Sequence, residues 1–360
     1  MVKGLEDLSA KLYNRLTHSK VSPVPSHSHT LLQNPVSTVD ADSPIFSPNS
    51  FYGRVRHFAA ITDPRLVFTP NRELFKAKAL LDSVRQGNEV QASPSELRRA
   101  KVLYGSAFHP DSGELQNVMG RMCFNVYGST LMCGGMMVFY RSTAGVFFWQ
   151  WANQSFNALV NYTNRNAKSP LTKKDLITAY TSAVSGALGV AFGLKWFCAW
   201  KKLGVMWQRL VPITAVCVAN FINIPLMRQN ELKYGMSVSD ADGNEVGKSK
   251  TAAFKAISQV AFSRNLIVIP SMVLTPLIVD ATAVRWKWFA KNLKVLNLPV
   301  QLGLIFVLFG AMVPVGCGLF PQKSSIKVDS LKRFEPETYE ELKALGLERV
   351  YFNKGLLRSR

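Results

Sequence analysis

Five carboxamide side chains occur at helical spacing inside an uncharged stretch of this 360-residue chain. Their spacing of i, i+3, i+4, i+7 and i+11 places them on one helix face, and they are Gln150, Asn153, Gln154, Asn157 and Asn161. We call this set the amide stripe. A carboxamide carries N–H donors and an acceptor oxygen, so we predict that the stripe binds a neutral or zwitterionic polar substrate. The alternative is that these amides join helices to one another, which is a common use of amides in membranes.

A second polar group lies between residues 220 and 228. Asn220 and Asn223 share a helix face, Pro225 is expected to kink that helix, and Arg228 ends the uncharged stretch. Bent helices with free backbone groups commonly form the central binding site of a transporter. We therefore predict that Asn220 and Asn223 also bind the substrate, with Pro225 and Arg228 at a kink or gate. An ordinary proline kink, with Arg228 extending to the membrane surface, is the alternative.

The elements that position these residues are long uncharged stretches separated by short basic clusters. The chain is 48% hydrophobic and 18% charged, yet its net charge is +20. About 20 apolar residues cross the hydrocarbon core of a bilayer. The pattern predicts an all-α, polytopic helical membrane protein with about five transmembrane helices, at residues 142–164, 176–194, 210–227, 265–284 and 300–320.

The remaining regions are assigned from composition and from helix signals. Residues 122–140 are weakly hydrophobic, which favours a re-entrant or packed sixth helix over a span. Two polar helices are expected, one through residues 69–86 and one that begins at the capping box Ser93-Pro94-Ser95-Glu96. The predicted regions are a flexible N-terminal extension (1–50), a polar helical region (51–118), a transmembrane domain (119–322) and a C-terminal tail (323–360).

The basic clusters indicate which partners to expect. They lie at the ends of the predicted spans, so we predict contact with anionic lipid such as cardiolipin and no nucleic-acid partner. No nucleophile is paired with a base and no metal-ligand spacing occurs, so we predict no enzyme activity, catalytic residue, metal or cofactor. The five cysteines form no C-x-x-C pair and are interpreted as reduced packing residues. The oligomeric state stays open.

Six sequence motifs between residues 51 and 356 form a specific set: Ile61-Thr62-Asp63-Pro64-Arg65, Ser106-Ala107-Phe108-His109-Pro110-Asp111-Ser112-Gly113-Glu114, Phe148 through Asn166, Asn223-Ile224-Pro225-Leu226-Met227-Arg228-Gln229, Phe320-Pro321-Gln322-Lys323 and Val350-Tyr351-Phe352-Asn353-Lys354-Gly355-Leu356. In this order they resemble the sideroflexin family of mitochondrial membrane proteins. The first 50 residues are longer than the short N terminus usual in that family.

The resemblance implies a multi-pass carrier of the mitochondrial inner membrane, with about five spans. The implied function is secondary transport of serine or a similar small neutral amino acid, supporting one-carbon metabolism. The alternatives are a carrier of a different small metabolite and a non-transporting protein of iron and haem homeostasis or respiratory assembly. Because the 142–164 span contains neither acid nor base, it favours a neutral amino acid over a polyanion such as citrate.

Overall fold

A computed structural model describes residues 44–88, 90–109, 112–164 and 173–353, so most of the predicted N-terminal extension and residues 354–360 lie outside it. The described helices are α1 (Phe51–Ile61), α2 (Asn71–Arg85), α3 (Pro94–Ala107), α4 (Asn125–Val138), α5 (Thr143–Thr163), α6 (Lys173–Trp200), α7 (Val205–Met227), α8 (Gln229–Tyr234), α9 (Lys250–Arg285), α10 (Lys287–Lys291), α11 (Leu293–Gly318) and α12 (Pro336–Ala344). The described strands are β1 (Met236–Ser239), β2 (Glu245–Ser249), β3 (Lys323–Lys327) and β4 (Arg349–Asn353).

The helices confirm the predicted class of polytopic α-helical membrane protein. Among the described residues, four helices are long and apolar enough to cross a membrane: Leu176–Trp200, Trp207–Met227, Lys250–Arg285 and Leu293–Gly318. α5 is 21 residues long and therefore spans about 31 Å, but its carboxamides lower its hydropathy. The predicted span at 142–164 therefore remains a prediction.

Helix α4 lies where the weakly hydrophobic stretch 122–140 was expected to pack against protein. It has 14 residues and is about 21 Å long, too short for a hydrocarbon core of about 30 Å. Its glycines allow close contact with α5: a Cβ on Gly128 would lie 2.1 Å from Phe156, and one on Gly135 would lie 2.2 Å from Trp149. The same small residues that weaken its hydrophobicity thus let α4 pack tightly against the helix that carries the amide stripe.

The polar helices dock on this bundle. The predicted capping box is confirmed, since the backbone N–H of Ser93 donates to Glu96 Oε2 and the N–H of Glu96 donates to Ser93 Oγ. The apolar faces of α2 and α3 pack together around Leu74, Leu81 and Leu97. α1 contacts the far end of α11, where the buried Arg54 donates from Nε to the carbonyl of Gly318 at 2.8 Å. That cation lies at a helix C-terminus, where the helix dipole favours positive charge.

One end of the bundle carries an aromatic belt. Five tryptophans there are between 60% and 68% exposed, namely Trp196, Trp200, Trp207, Trp286 and Trp288. They lie where α6 and α9 end and where α7 begins, and Arg209 of α7 forms an ion pair with Asp280 of α9 at this end. Tryptophan is enriched at membrane–water interfaces, so this belt side marks one surface of the bilayer.

A four-stranded antiparallel sheet, for which the sequence held no clear signal, lies at the opposite end. Its strand order is β2-β1-β4-β3, so the predicted C-terminal tail supplies two strands to a sheet begun more than eighty residues earlier. Val238, Val350 and Phe352 are buried beneath it, together with Ala252 and Ala256 from the first turns of α9. α9 therefore starts in the sheet and continues into the bundle, and we call this end the sheet side.

Glu335, just before α12, caps the N-terminus of α9. Its carboxylate accepts hydrogen bonds from Ser249 Oγ, from the N–H of Lys250 and from the N–H of Thr251 at 3.2 Å. Partial burial acts to raise the pKa of Glu335, but these hydrogen bonds outweigh that effect and hold the pKa below its usual value. The tail is thereby fastened to the helix that enters the membrane, where a negative charge also suits the helix dipole.

We predict that Glu335→Gln lowers the free energy of unfolding by about 1–2 kcal/mol at neutral pH, because it removes a charge-assisted cap. A carboxylate with a depressed folded-state pKa stabilises above its unfolded pKa of about 4.3, and this stabilisation is lost as the pH falls through the folded value. The difference from wild type should therefore be complete at neutral pH and vanish in acid. Thermal unfolding of detergent-solubilised protein measures it, with the exposed Glu348→Gln as the control.

Candidate functional site

Helix α5 buries the first part of the amide stripe. Gln150 and Gln154 are each only 1% exposed and Asn153 is 6% exposed, whereas Asn157 and Asn161 are half-buried. The predicted single face is therefore turned into the bundle over its first turns and becomes more open toward the sheet side. A polar face of this kind costs free energy unless its donors and acceptors find partners.

Several atoms of the amide stripe have no hydrogen-bond partner among the described residues. They are Gln150 Oε1, Asn153 Nδ2 and both amide atoms of Gln154. Leaving a buried polar atom unpaired costs about 1–3 kcal/mol. Such atoms are the ones that a polar solute can satisfy, and they include both donors and acceptors.

Two contacts tie α5 to the helices beside it. Gln150 Nε2 donates to the backbone carbonyl of Pro212 in α7 at 3.4 Å. Eleven residues further along α5, about 16 Å away, Asn161 Oδ1 accepts from Arg264 Nη2 of α9 at 2.5 Å. The stripe thus lies against α7 on the belt side of the bundle and against α9 on the sheet side.

The second predicted group faces α9 at the same level. Asn220 is 5% exposed, and its Nδ2 donates to Asn265 Oδ1 at 2.8 Å. Asn265 directly follows Arg264, so this pair lies close to the end of the amide stripe. Asn223 is 3% exposed, and its Oδ1 has no partner among the described residues. The structure therefore brings residues of both predicted groups together where α5, α7 and α9 meet.

Pro225 and Arg228 lie at the sheet-side end of α7. Pro225 is in the last turn of the helix, which ends at Met227, and its carbonyl accepts from the N–H of Arg228 at 3.2 Å. Arg228 forms an ion pair with Glu231 of α8. These contacts hold the end of α7 against α8, and the role of Pro225 and Arg228 as a kink or gate remains a prediction.

The sequence did not predict a role for Arg264 and Asn265, which α9 contributes beside the polar residues of α5 and α7. The predicted span 265–284 begins directly after Arg264, yet Arg264 lies inside α9, which starts at Lys250. The signal was available: Ile257 and Val260 continue the apolar helical spacing upstream of Arg264, and both are buried. The charge of Arg264 interrupts the apolar stretch of the sequence, although the helical periodicity continues through it.

A pocket of about 280 Å³ lies next to the sheet-side end of the stripe. Its lining includes His109, Ser112, Glu114, Gln116, Tyr162 and Thr163. The N–H of Gly113 donates to the carbonyl of His109, while Pro110 and Asp111 lie outside the described residues. Gln116 fixes the turn to the end of α5 through Asn164 Oδ1 at 2.8 Å.

Comparison with known proteins identifies the family of this chain. Residues 40–356 match the family model described as Sideroflexins. The chain belongs to the sideroflexin family. Over 89% of its length it is 46% identical to Sideroflexin-2 of Drosophila melanogaster, of which it covers 99%. It is 45% identical to human Sideroflexin-2 and 44% identical to human Sideroflexin-1, covering 99% and 98% of those proteins.

No solved structure matches the chain. Membership of the sideroflexin family, together with the four spanning helices, makes this a multi-pass membrane protein, and it supports a transporter-type role. The residues that gather where α5, α7 and α9 meet lie within the matched part of the chain.

Asn220 and Asn265 are hydrogen-bonded to each other, so this pair has a structural role that the amide atoms without a partner among the described residues lack. We expect Asn220→Leu and Asn265→Leu each to destabilise the protein, because each leaves a buried amide unpaired. The double variant should lose less than the sum of the two, with a coupling of about 0.5–2 kcal/mol. Equilibrium unfolding in detergent measures the four corners of this double-mutant cycle. Strict additivity would show that the contact contributes nothing.

Proposed function

We propose that this sideroflexin is a secondary transporter of the mitochondrial inner membrane that imports serine or a similar small neutral amino acid, and so supports one-carbon metabolism. The observation that carries this proposal is the set of buried carboxamide atoms on α5 that have no partner among the described residues. They offer both donors and acceptors within a membrane bundle, which suits a small solute that bears both kinds of group.

The stripe fits a substrate with several polar groups in a small volume. Gln150, Asn153, Gln154 and Asn157 rise along about 10 Å of one helix, so hydrogen bonds can be exchanged one turn at a time. Asn220 and Asn223 are proposed to face them from α7, and Pro225 and Arg228 to control access from the sheet side. The amides of the stripe carry no net charge, so each of them contacts the solute through hydrogen bonds.

The membrane setting supports the same proposal. The exposed tryptophans of the belt side are accompanied by exposed lysines, among them Lys201, Lys202 and Lys287. We propose that these cations contact anionic headgroups such as those of cardiolipin. They would then hold the bundle at a fixed depth, with the amide stripe inside the bilayer.

Uptake of labelled serine into proteoliposomes tests the transport proposal. Wild-type protein should take up serine, and Asn153→Leu should lower uptake efficiency about tenfold or more, since one hydrogen bond to a charged group contributes about 1.5–3 kcal/mol. Asn88→Leu removes an exposed amide outside the bundle and should transport normally. Absence of serine uptake by wild type would refute the function, while normal uptake by a folded Asn153→Leu would refute only the site.

A non-transporting role in iron and haem homeostasis or respiratory assembly is the second candidate, and one observation favours it. Asn220 and Asn161 are both engaged by α9, so part of the polar surface already serves to join helices. In that case the remaining amides would also serve to hold the helices together. Uptake of serine, or of another small metabolite in a substrate panel, distinguishes a carrier from such a scaffold.

A further inference from the structure

Arg264 brings a positive charge to the sheet-side end of the amide stripe. It lies within α9, and its guanidinium donates to Oδ1 of Asn161. The residue is half-buried, so its charge is only partly shielded by solvent. The span at 142–164 contains no charge of its own, and a neighbouring helix supplies one at the place where the stripe opens.

No carboxylate among the described residues forms an ion pair with Arg264. The neighbouring cation Arg228 differs, because Glu231 neutralises it. The contact with Asn161 engages one N–H of a group that has several, all held in a planar fork. A partly buried guanidinium in this state attracts an anion, and its fork matches the two oxygens of a carboxylate.

Two buried amide atoms, one on α9 and one on α7, complement both ends of a zwitterion. Asn265 Nδ2 is a buried donor without a partner among the described residues, and Asn223 Oδ1 is a buried acceptor in the same condition. The two helices are joined at this level, because Asn220, one turn from Asn223, is hydrogen-bonded to Asn265. The donors suit a carboxylate, and the acceptor suits an ammonium group.

We propose that Arg264 binds the carboxylate of the transported amino acid at the sheet-side end of the amide stripe. This inference rests on the proposed function and names the group that recognises the charged end of the substrate. One guanidinium with no acidic partner in the described part of the chain matches one carboxylate, so the substrate class is zwitterionic amino acids with uncharged side chains. Cationic amino acids and amines that lack a carboxylate are rejected, because they would place positive charge beside Arg264.

Transport kinetics with serine and with serinamide, in which a carboxamide replaces the carboxylate, test this assignment. In proteoliposomes, Arg264→Gln should raise the KM for serine about tenfold or more and abolish the preference for serine over serinamide. Arg264→Lys keeps the charge without the fork and should retain part of that preference. Arg285→Gln removes an exposed arginine from the end of the same helix and should change neither quantity.

A thermal-shift assay in detergent tests binding independently of transport. Serine should raise the melting temperature of wild type and of Arg285→Gln, and it should raise that of Arg264→Gln much less. Serinamide should leave the melting temperatures of all three proteins unchanged. The assignment to Arg264 is wrong if folded Arg264→Gln keeps the wild-type KM and preference, or keeps the wild-type shift with serine. If wild type binds serine in this way but does not take it up, the transport function fails and the assignment of Arg264 stands.

Discussion

The cost of burying a carboxamide without a hydrogen-bond partner governs the centre of this molecule. Each unpaired amide atom in apolar surroundings costs about 1–3 kcal/mol, so a helix such as α5 is stable in a bundle only if other groups meet its polar face. The Pro212 carbonyl and the Arg264 guanidinium meet two of these amides, and the Asn220–Asn265 pair obeys the same rule. The atoms of Gln150, Asn153 and Gln154 that have no partner among the described residues mark the part of the face that is available to a solute.

The same constraint applies to the part of α9 that extends beyond the membrane. Its 36 residues extend about 54 Å, well beyond a hydrocarbon core of about 30 Å, so one part must be covered by protein or exposed to water. The sheet covers that part through Ala252 and Ala256, and Glu335 satisfies the first backbone donors of the helix. The sheet is therefore the support that lets α9 carry Arg264 to the mouth of the amide stripe.

The features predicted from sequence were those encoded within one segment. The spacing of Gln150, Asn153 and Gln154 predicted a common face, and the structure turns that face inward. The capping box at Ser93 was equally local. The sheet was not foreseen, because β1 and β4 pair across more than a hundred residues and each strand is too short to show a clear alternation. The sequence did not predict the place of Arg264, because it depends on that sheet, which extends α9 upstream of the apolar stretch.

The position of the first proline in α9 determines which parts of the molecule can move together. Between Lys250 and Pro270 no proline interrupts the backbone ladder, so Arg264 and the sheet are joined by one continuous stretch of helix. Pro270 and Pro276 carry no backbone N–H, so the helix lacks two hydrogen-bond donors in its membrane part. A bend at Pro270 would carry Arg264 along with the sheet as a single lever while the belt-side half of the helix stayed in place. A clamp attached to the sheet, outside the bilayer, would therefore also restrain a charge that lies inside the bundle.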